Sequence, residues 1–391
     1  MSSLRPFWRH VALVLACTVL VEPVTAQVPA PRRARDLGIA PGVLSPGRWN
    51  AITDVAGVRV GHATVRLGDS VRTGVTAILP HAGNVFFERV PAAIHVGNGF
   101  GKLLGVTQVA ELGELETPIV LTCTLCVWKV ADAFAEWLLA QPGMESVRSI
   151  NPVVGETNDG YALNAIRSRP ISPEDVRAAL TNAASGPVAE GAVGAGTGTI
   201  AFEWKGGIGT SSRVVRAGDS TWTVGVLVQS NFGAAADLTM MGVPVGRLLA
   251  RGGITRGAAP TGADGSIMIV VATDAPLSDR NLRRLAARAI IGIGRTGAVA
   301  ENGSGDYVIA FSTAPAVRRG RDARRLAQVD LGNQEMSALF HGVVEATEEA
   351  VYNSLTMATT ESANGNTVAA IPVDEIVALL RARQALRLPP P

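Results

Sequence analysis

The run Gly265-Ser266-Ile267-Met268-Ile269-Val270-Val271-Ala272-Thr273 decides how this chain reads. Residues 267–272 are uniformly apolar, as expected of a strand buried on both faces rather than one with a wet side. A glycine-rich, turn-prone stretch, Arg251 to Gly265, leads into it and reads as a surface loop. Ser266 therefore stands at the mouth of a buried strand, with pliable chain before it. That placement suits self-cleavage. The Ser266 hydroxyl can attack the Gly265 carbonyl, and the new chain would begin with a nucleophile. Glycine before the bond tolerates strained backbone geometry.

The chain has 391 residues, 47% hydrophobic and 17% charged, enough for a large core. Net charge is only +2, with no concentrated basic block, which argues against a nucleic-acid partner. Glycine reaches 43 residues while aromatics are 5%, a composition for tight turns and close backbone approaches. The first 26 residues read as a signal peptide: Arg5 and Arg9, an apolar run Val11 to Val21, then Val24-Thr25-Ala26 before Gln27. That run is short for a membrane span, and no later segment is long and apolar enough. The mature protein is thus expected to be exported, periplasmic or secreted. Lipid anchoring at Cys17 is the lesser alternative, because Leu15 is bulky there and the apolar run continues past Cys17.

Cys123 and Cys126 have C-x-x-C spacing, but no second Cys or His pair completes a zinc site. Ile119 to Val127 reads as one strand, on which residues three apart face opposite sides. The expectation is two buried thiols that do not bridge.

Further strands are expected over Ala51 to His62 (with a turn at Ala56-Gly57), Gly74 to His81, Ser211 to Ala217, Trp222 to Ser230 and Tyr307 to Ser312. Helices are expected over Val106 to Leu112, Val127 to Leu139, Val243 to Arg251, Ser278 to Gly292, Glu335 to Ala358 and Val373 to Gln384. In the second-last, Met336, Leu339, Phe340, Val343, Val344, Thr347, Val351 and Leu355 follow the spacing of one helical face. Strands mixed with helices fit an α/β or α+β domain of layered sheets, 27–391, with no interdomain linker.

Three clusters surround Ser266 chemically. In Asn302-Gly-Ser-Gly-Asp-Tyr, Ser304 and Asp306 precede a strand that also begins with Gly-Ser. Two such strands side by side would let Ser304 relay a proton from Ser266, with Asp306 polarising it. In Gln229-Ser-Asn-Phe-Gly, Asn231 ends a strand and can offer its amide to an oxyanion. In Val153-Val-Gly-Glu-Thr-Asn-Asp-Gly, Glu156 can grip a substrate ammonium. Each alone has an ordinary reading, respectively an Asx-type turn, a strand-ending Asn-Gly turn and an exposed acidic loop. Gly194-Ala-Gly196-Thr-Gly198 lacks the strand-to-helix setting of a dinucleotide loop. His62, His81, His95 and His341 show no metal-ligand spacing and no triad order. There is no Gly-x-Ser-x-Gly elbow.

These clusters occur in a familiar order. The chain resembles the DmpA-type peptidases, a family of L-aminopeptidases/D-esterases and β-peptidyl aminopeptidases. The matching runs are Asn50-AITDVAGVRVGH, Gly74-VTAILPH, Gly97-NGFG, Val154-GETNDG, Gly194-AGTGTIAFEWKGGIGTSSR, Val228-QSNFG, Asp264-GSIMIVVATDAPL and Gly303-SGDYVIAFST. The resemblance implies a four-layer αββα sandwich, like the N-terminal-nucleophile hydrolases and the ornithine acetyltransferases. It implies self-cleavage into a 27–265 α chain and a 266–391 β chain. It makes Ser266 the nucleophile, Ser304 and Asp306 its partners, Asn231 the oxyanion donor and Glu156 the anchor of the substrate amine. Some members carry Glu where Asp306 stands. Members also differ at Asn158, which is expected to shape the substrate pocket. It further implies a homo-oligomer, often a tetramer of α/β protomers, and the expected serine mechanism needs no metal or organic cofactor.

The expected activity is hydrolysis of N-terminal residues from short peptides, amides or esters. The competing readings are an aminoacyl or acetyl transferase of the same fold, a processed but non-catalytic exported binding protein, and a thiol-redox protein acting through Cys123 and Cys126.

Overall fold

The computed structural model describes residues 30–251, 265–326 and 328–387. The expected signal peptide, Cys17 and most of the Arg251 to Gly265 loop lie outside the described residues.

The principal strands are β1 (Arg59–Leu67), β2 (Val71–Leu79), β3 (Glu88–Gly99), β4 (Ile119–Cys123), β5 (Val153–Thr157), β6 (Gly207–Ala217), β7 (Ser220–Asn231), β8 (Ser266–Thr273) and β9 (Gly305–Ser312). The helices are α1 (Val106–Leu112), α2 (Val127–Leu139), α3 (Pro173–Thr181), α4 (Val245–Arg251), α5 (Asp279–Arg295), α6 (Met336–Thr356) and α7 (Val373–Ala382). One sheet has the order β1-β2-β4-β5. The other runs β3-β9-β8-β7-β6, with two-residue strands Arg319–Gly320 and Glu114–Leu115 also paired to β3. Two parallel pairs interrupt the antiparallel pattern, β4 with β5 and β8 with β9. Each is bridged by a helix, α2 or α5, as a parallel pair requires.

Burial explains the layers. Along β8, Ile267, Ile269 and Val271 join the core beneath α5 and α6, where Leu285 and Val343 also sit. Met268, Val270 and Ala272 join a second core between the sheets, with Ile78, Leu121 and Leu227. A third core lies between the first sheet and α2 and α3, around Val75, Val130, Phe134 and Val176. Helix, sheet, sheet and helix stack in that order: the αββα sandwich. The described residues from Pro31 onward fall into one compact unit.

Several expectations need correction. Ala51 to His62 is not one strand. Its first part is a 3-10 turn, Ile52–Asp54, whose Asp54 carboxylate accepts the Trp49 and Ala51 amides, and β1 starts only at Arg59. β4 stops at Cys123, and Thr124–Cys126 winds into a 3-10 turn that feeds α2. That turn brings the two cysteine Cα atoms to 5.1 Å, and the sulfurs form a disulfide. The continuous strand that would have kept them apart does not exist. α3 was unread, although Ser172 and Asp175 cap it reciprocally and Pro173 occupies its first turn.

Candidate active site

The register of three strands builds the site. Ser266, the first residue of β8, lies opposite Asn231, the last of β7, and opposite Gly305, the first of β9. All three strands therefore end at one edge of the sheet. The Gly305 N–H lies 3.2 Å from the Gly265 carbonyl oxygen and 3.2 Å from Ser266 Oγ. One donor thus serves both the carbonyl that precedes Ser266 and the hydroxyl beside it. Position 265 has no room for a side chain. A Cβ there would stand 2.5 Å from Phe232 Cα and 2.7 Å from the Asn231 carbonyl oxygen.

Ser304 and Asp306 flank Gly305. Ser304 Oγ donates to Asp306 Oδ1 at 2.6 Å. Both side chains are buried, and Asp306 Oδ2 has no hydrogen-bond partner. Burial raises the Asp306 pKa, against the Ser304 hydrogen bond that lowers it. A bulge between Asp306 and Tyr307, opposite β3, breaks the ladder here. Ser304 and Asp306 also line a crevice with Phe232, Ile293, Ala298 and Glu301. Alternation along β9 puts Asp306 on the face of Val308 and Ala310, toward the helices. Ser266 shares its face with Met268 and Val270, toward the other sheet. Among the described residues no hydrogen bond joins Ser266 to Ser304. The strand pairing brings the two serines to one edge, but the relay contact expected from sequence is not made in the continuous chain.

Asn231 is held from two sides. The Ile200 N–H donates to its Oδ1 at 3.0 Å, and its Nδ2 donates to the Asn158 carbonyl at 3.1 Å. The first contact fixes which way the amide points, so the NH₂ group faces the Asn158 side. Asn158 is half-buried, and its own Oδ1 accepts the Gly160 N–H at 3.1 Å.

Glu156 is buried near the end of β5 and is not an exposed loop residue. Its Oε1 accepts the Lys102 N–H at 2.9 Å and lies 3.6 Å from Lys102 Nζ. Its Oε2 is buried with no hydrogen-bond partner, an acceptor left open for a donor. Burial raises the Glu156 pKa, opposed chiefly by the Lys102 charge. The site is closed by the turn after β3. A Cβ on Gly101 would lie 2.9 Å from the Tyr307 ring, 3.2 Å from Glu156 Oε1 and 3.2 Å from Gly305 Cα. Tyr307 donates its hydroxyl to the Gly99 carbonyl at 3.0 Å. Lys102 and Gly101 were not singled out from sequence, and Tyr307 was read only as the first residue of a strand. The Gly97-NGFG run was the one signal, and it carried no chemistry of its own.

The arrangement offers an oxygen nucleophile, backbone and amide donors for an oxyanion, and a buried carboxylate for a cation. The family model described as peptidase family S58 matches residues 50–368. The β-peptidyl aminopeptidase BapA of Sphingosinicella xenopeptidilytica is 42% identical over 403 residues, covering 98% of this chain and 99% of that one. A Burkholderia sp. β-aminopeptidase structure superposes with a TM-score of 0.83 at 41% identity, covering 92% of this chain and 100% of that one. The L-aminopeptidase D-Ala-esterase/amidase of Ochrobactrum anthropi, a prototype for the serine aminopeptidases and a variant of the Ntn-hydrolase fold, superposes with a TM-score of 0.84 at 39% identity, covering 90% of this chain and 99% of that one. The chain belongs to peptidase family S58, the DmpA-type family, and is a serine aminopeptidase.

Proposed function

We propose that the chain cuts itself at Gly265-Ser266 and then uses the freed Ser266 as an N-terminal nucleophile. The observation that carries this reading is the shared Gly305 N–H, 3.2 Å from both the Gly265 oxygen and Ser266 Oγ. In the first stage Ser266 Oγ attacks the Gly265 carbonyl carbon. The developing oxyanion already faces the Gly305 donor. Collapse breaks the bond to the Ser266 nitrogen, which takes up the proton lost from Oγ and becomes the free α-amine, and leaves an ester, which water hydrolyses. The α chain then ends at Gly265 and the β chain begins at Ser266.

In turnover, Glu156 receives the free amino group of the substrate on its open Oε2. Ser266 Oγ attacks the adjacent amide or ester carbonyl, and Asn231 Nδ2 leaves the Asn158 carbonyl to donate to the oxyanion. The Ser266 α-amine, with a reference pKa of about 7.7–8.0, takes the hydroxyl proton and passes it to the leaving amine. The Ser304–Asp306 pair, on either side of the Gly305 that faces Ser266 in the register, is assigned the tuning of that amine's protonation. Water releases the acyl group. No step calls for a metal or an organic cofactor.

The likeness to β-peptidyl aminopeptidases over nearly the whole chain puts β-aminoacyl amides first among substrates. L-aminoacyl amides come second, from the Ochrobactrum relative. The signal-like residues 1–26 support action after export, and processed protomers are proposed to assemble as a homo-oligomer.

The test pairs intact mass with a panel of β-, L- and D-aminoacyl anilides and esters. Wild-type protein should be two chains split at 265/266 and active. Ser266→Ala should be one chain and inactive on amides. A single uncut wild-type chain that hydrolyses amides would overturn the reading. Preferential transfer to an added amine over hydrolysis would assign it to the transferase alternative.

A further inference from the structure

Lys205 is fully buried, which a lysine tolerates only with its charge satisfied. Its Nζ donates to three backbone carbonyls: Gly196 at 2.9 Å, Thr199 at 2.9 Å and Gly206 at 2.7 Å. Three acceptors use all three N–H bonds of an ammonium, one more than a neutral amine has. Burial pulls the Lys205 pKa down to about 7, opposed by the charges of Glu361 and Asp159. The contacts are those of the charged form.

The three carbonyls belong to one glycine-rich loop that folds around the ammonium. The segment also carries a short hairpin, Ile200–Ala201 against Trp204–Lys205, and buries Phe202 and Trp204 in the core; what the ammonium adds is a tie between Gly196 and Thr199 on one side and Gly206 on the other. The residue after Thr199 is Ile200, whose N–H fixes the Asn231 amide at 3.0 Å. Two residues on, the Phe202 N–H donates to the Phe232 carbonyl at 2.7 Å, next to Asn231. The loop therefore docks on the end of β7 through backbone donors, and Lys205 ties together the residues on either side of them, Thr199 and Gly206.

We infer that Lys205 is a positioning residue for the oxyanion donor: its ammonium clamps the 196–206 loop so that the Ile200 N–H holds Asn231 Oδ1 and keeps the Asn231 NH₂ group, not its oxygen, free to donate on the Asn158 side, from which it reaches the oxyanion. The inference rests on the role of Asn231 proposed above. It touches neither substrate nor nucleophile, so it acts on kcat and leaves ground-state binding at Glu156 alone. A donor that is no longer held loses part of what a fixed one contributes. Full removal of such a donor costs about 10²–10³-fold, so loosening it should cost about 10- to 100-fold in kcat.

The experiment is a double-mutant cycle on processed protein, using Lys205→Gln, Asn231→Ala and the double variant. Glutamine keeps two donors inside the loop, which favours folding. Lys205→Gln should lower kcat about 10- to 100-fold with KM changed less than about threefold, and should add almost nothing in the Asn231→Ala background. Equal fold-losses in both backgrounds, an effect confined to KM, or wild-type kcat in folded Lys205→Gln would each overturn it. A Lys205→Gln chain that does not fold assigns the lysine to folding alone and overturns it too. Near wild-type kcat in Asn231→Ala by itself would instead sink the oxyanion role of Asn231, so the two failures are distinct.

Discussion

Gly265→Ala separates self-cleavage from turnover. The added Cβ would lie 2.5 Å from Phe232 Cα and 2.7 Å from the Asn231 carbonyl oxygen. Both neighbours are backbone at the end of β7, so neither can swing aside as a side chain would. Ordinary contact begins at 3.4 Å, so the 265 backbone must move by about 0.9 Å. The Gly265 oxygen then leaves the Gly305 donor, and the carbonyl carbon leaves the line of Ser266 Oγ. A misplacement of about 1 Å typically costs about 10²-fold in rate, which corresponds to about 2.7 kcal/mol of barrier. The assay is a time course of intact mass after expression or refolding, following the fragment that begins at Ser266. Cleavage of Gly265→Ala should be about 10²-fold slower than wild type. Once cut, its β chain is identical, and the processed fraction should show wild-type kcat. Cleavage at the wild-type rate would refute the requirement for a side-chain-free 265.

Other perturbations follow from the same geometry. Glu156→Gln removes the carboxylate that receives the ammonium and should raise KM for free-amine substrates about 10- to 100-fold, with N-acetylated analogues equally poor on both proteins. Because burial raises the Glu156 pKa, 1/KM for wild type should climb with pH through a step above the usual carboxylate range, and that step should vanish in Glu156→Gln. The sign for stability is opposite: the folded chain holds the Glu156 proton more tightly, so stability falls as pH rises through the window between the ordinary and raised values. A Glu156→Gln melt series should lose that slope. Asp306→Asn should lower kcat with little change in KM, since Asp306 meets Ser304 and not the substrate amine. Replacing both Cys123 and Cys126 with Ala opens a very short loop and should cost roughly 2 kcal/mol or less by the chain-entropy argument, read as a small drop in Tm.

β8 was legible because six consecutive apolar residues have only one economical place, between two cores. α6 was legible because its apolar spacing runs over several turns. β3 was not, since Pro91, the exposed Val96, Gly97 and Gly99 and the bulge at Gly97 hide its alternation. β5 is five residues long and reads as a glycine-bracketed acidic turn until β4 pairs with it. The cysteines were misread for a local reason, a turn that begins inside an apolar run. In the site, Ser266, Asn231, Ser304 and Asp306 were visible because each sits where a strand meets a turn. Lys102 and Lys205 were not. Their partners are backbone carbonyls or carboxylates placed by tertiary folding, and no spacing in the sequence announces them.

In the proposed turnover the hydroxyl of a freed Ser266 carries the acyl group. This is tested most directly by mixing processed protein with a β-aminoacyl ester, quenching in acid within the turnover time and mapping the peptides by mass. The expected product is one added β-aminoacyl group on the peptide whose first residue is Ser266, absent from Ser266→Ala. An acyl group on another residue, or turnover by a chain still joined at Gly265-Ser266, would contradict it.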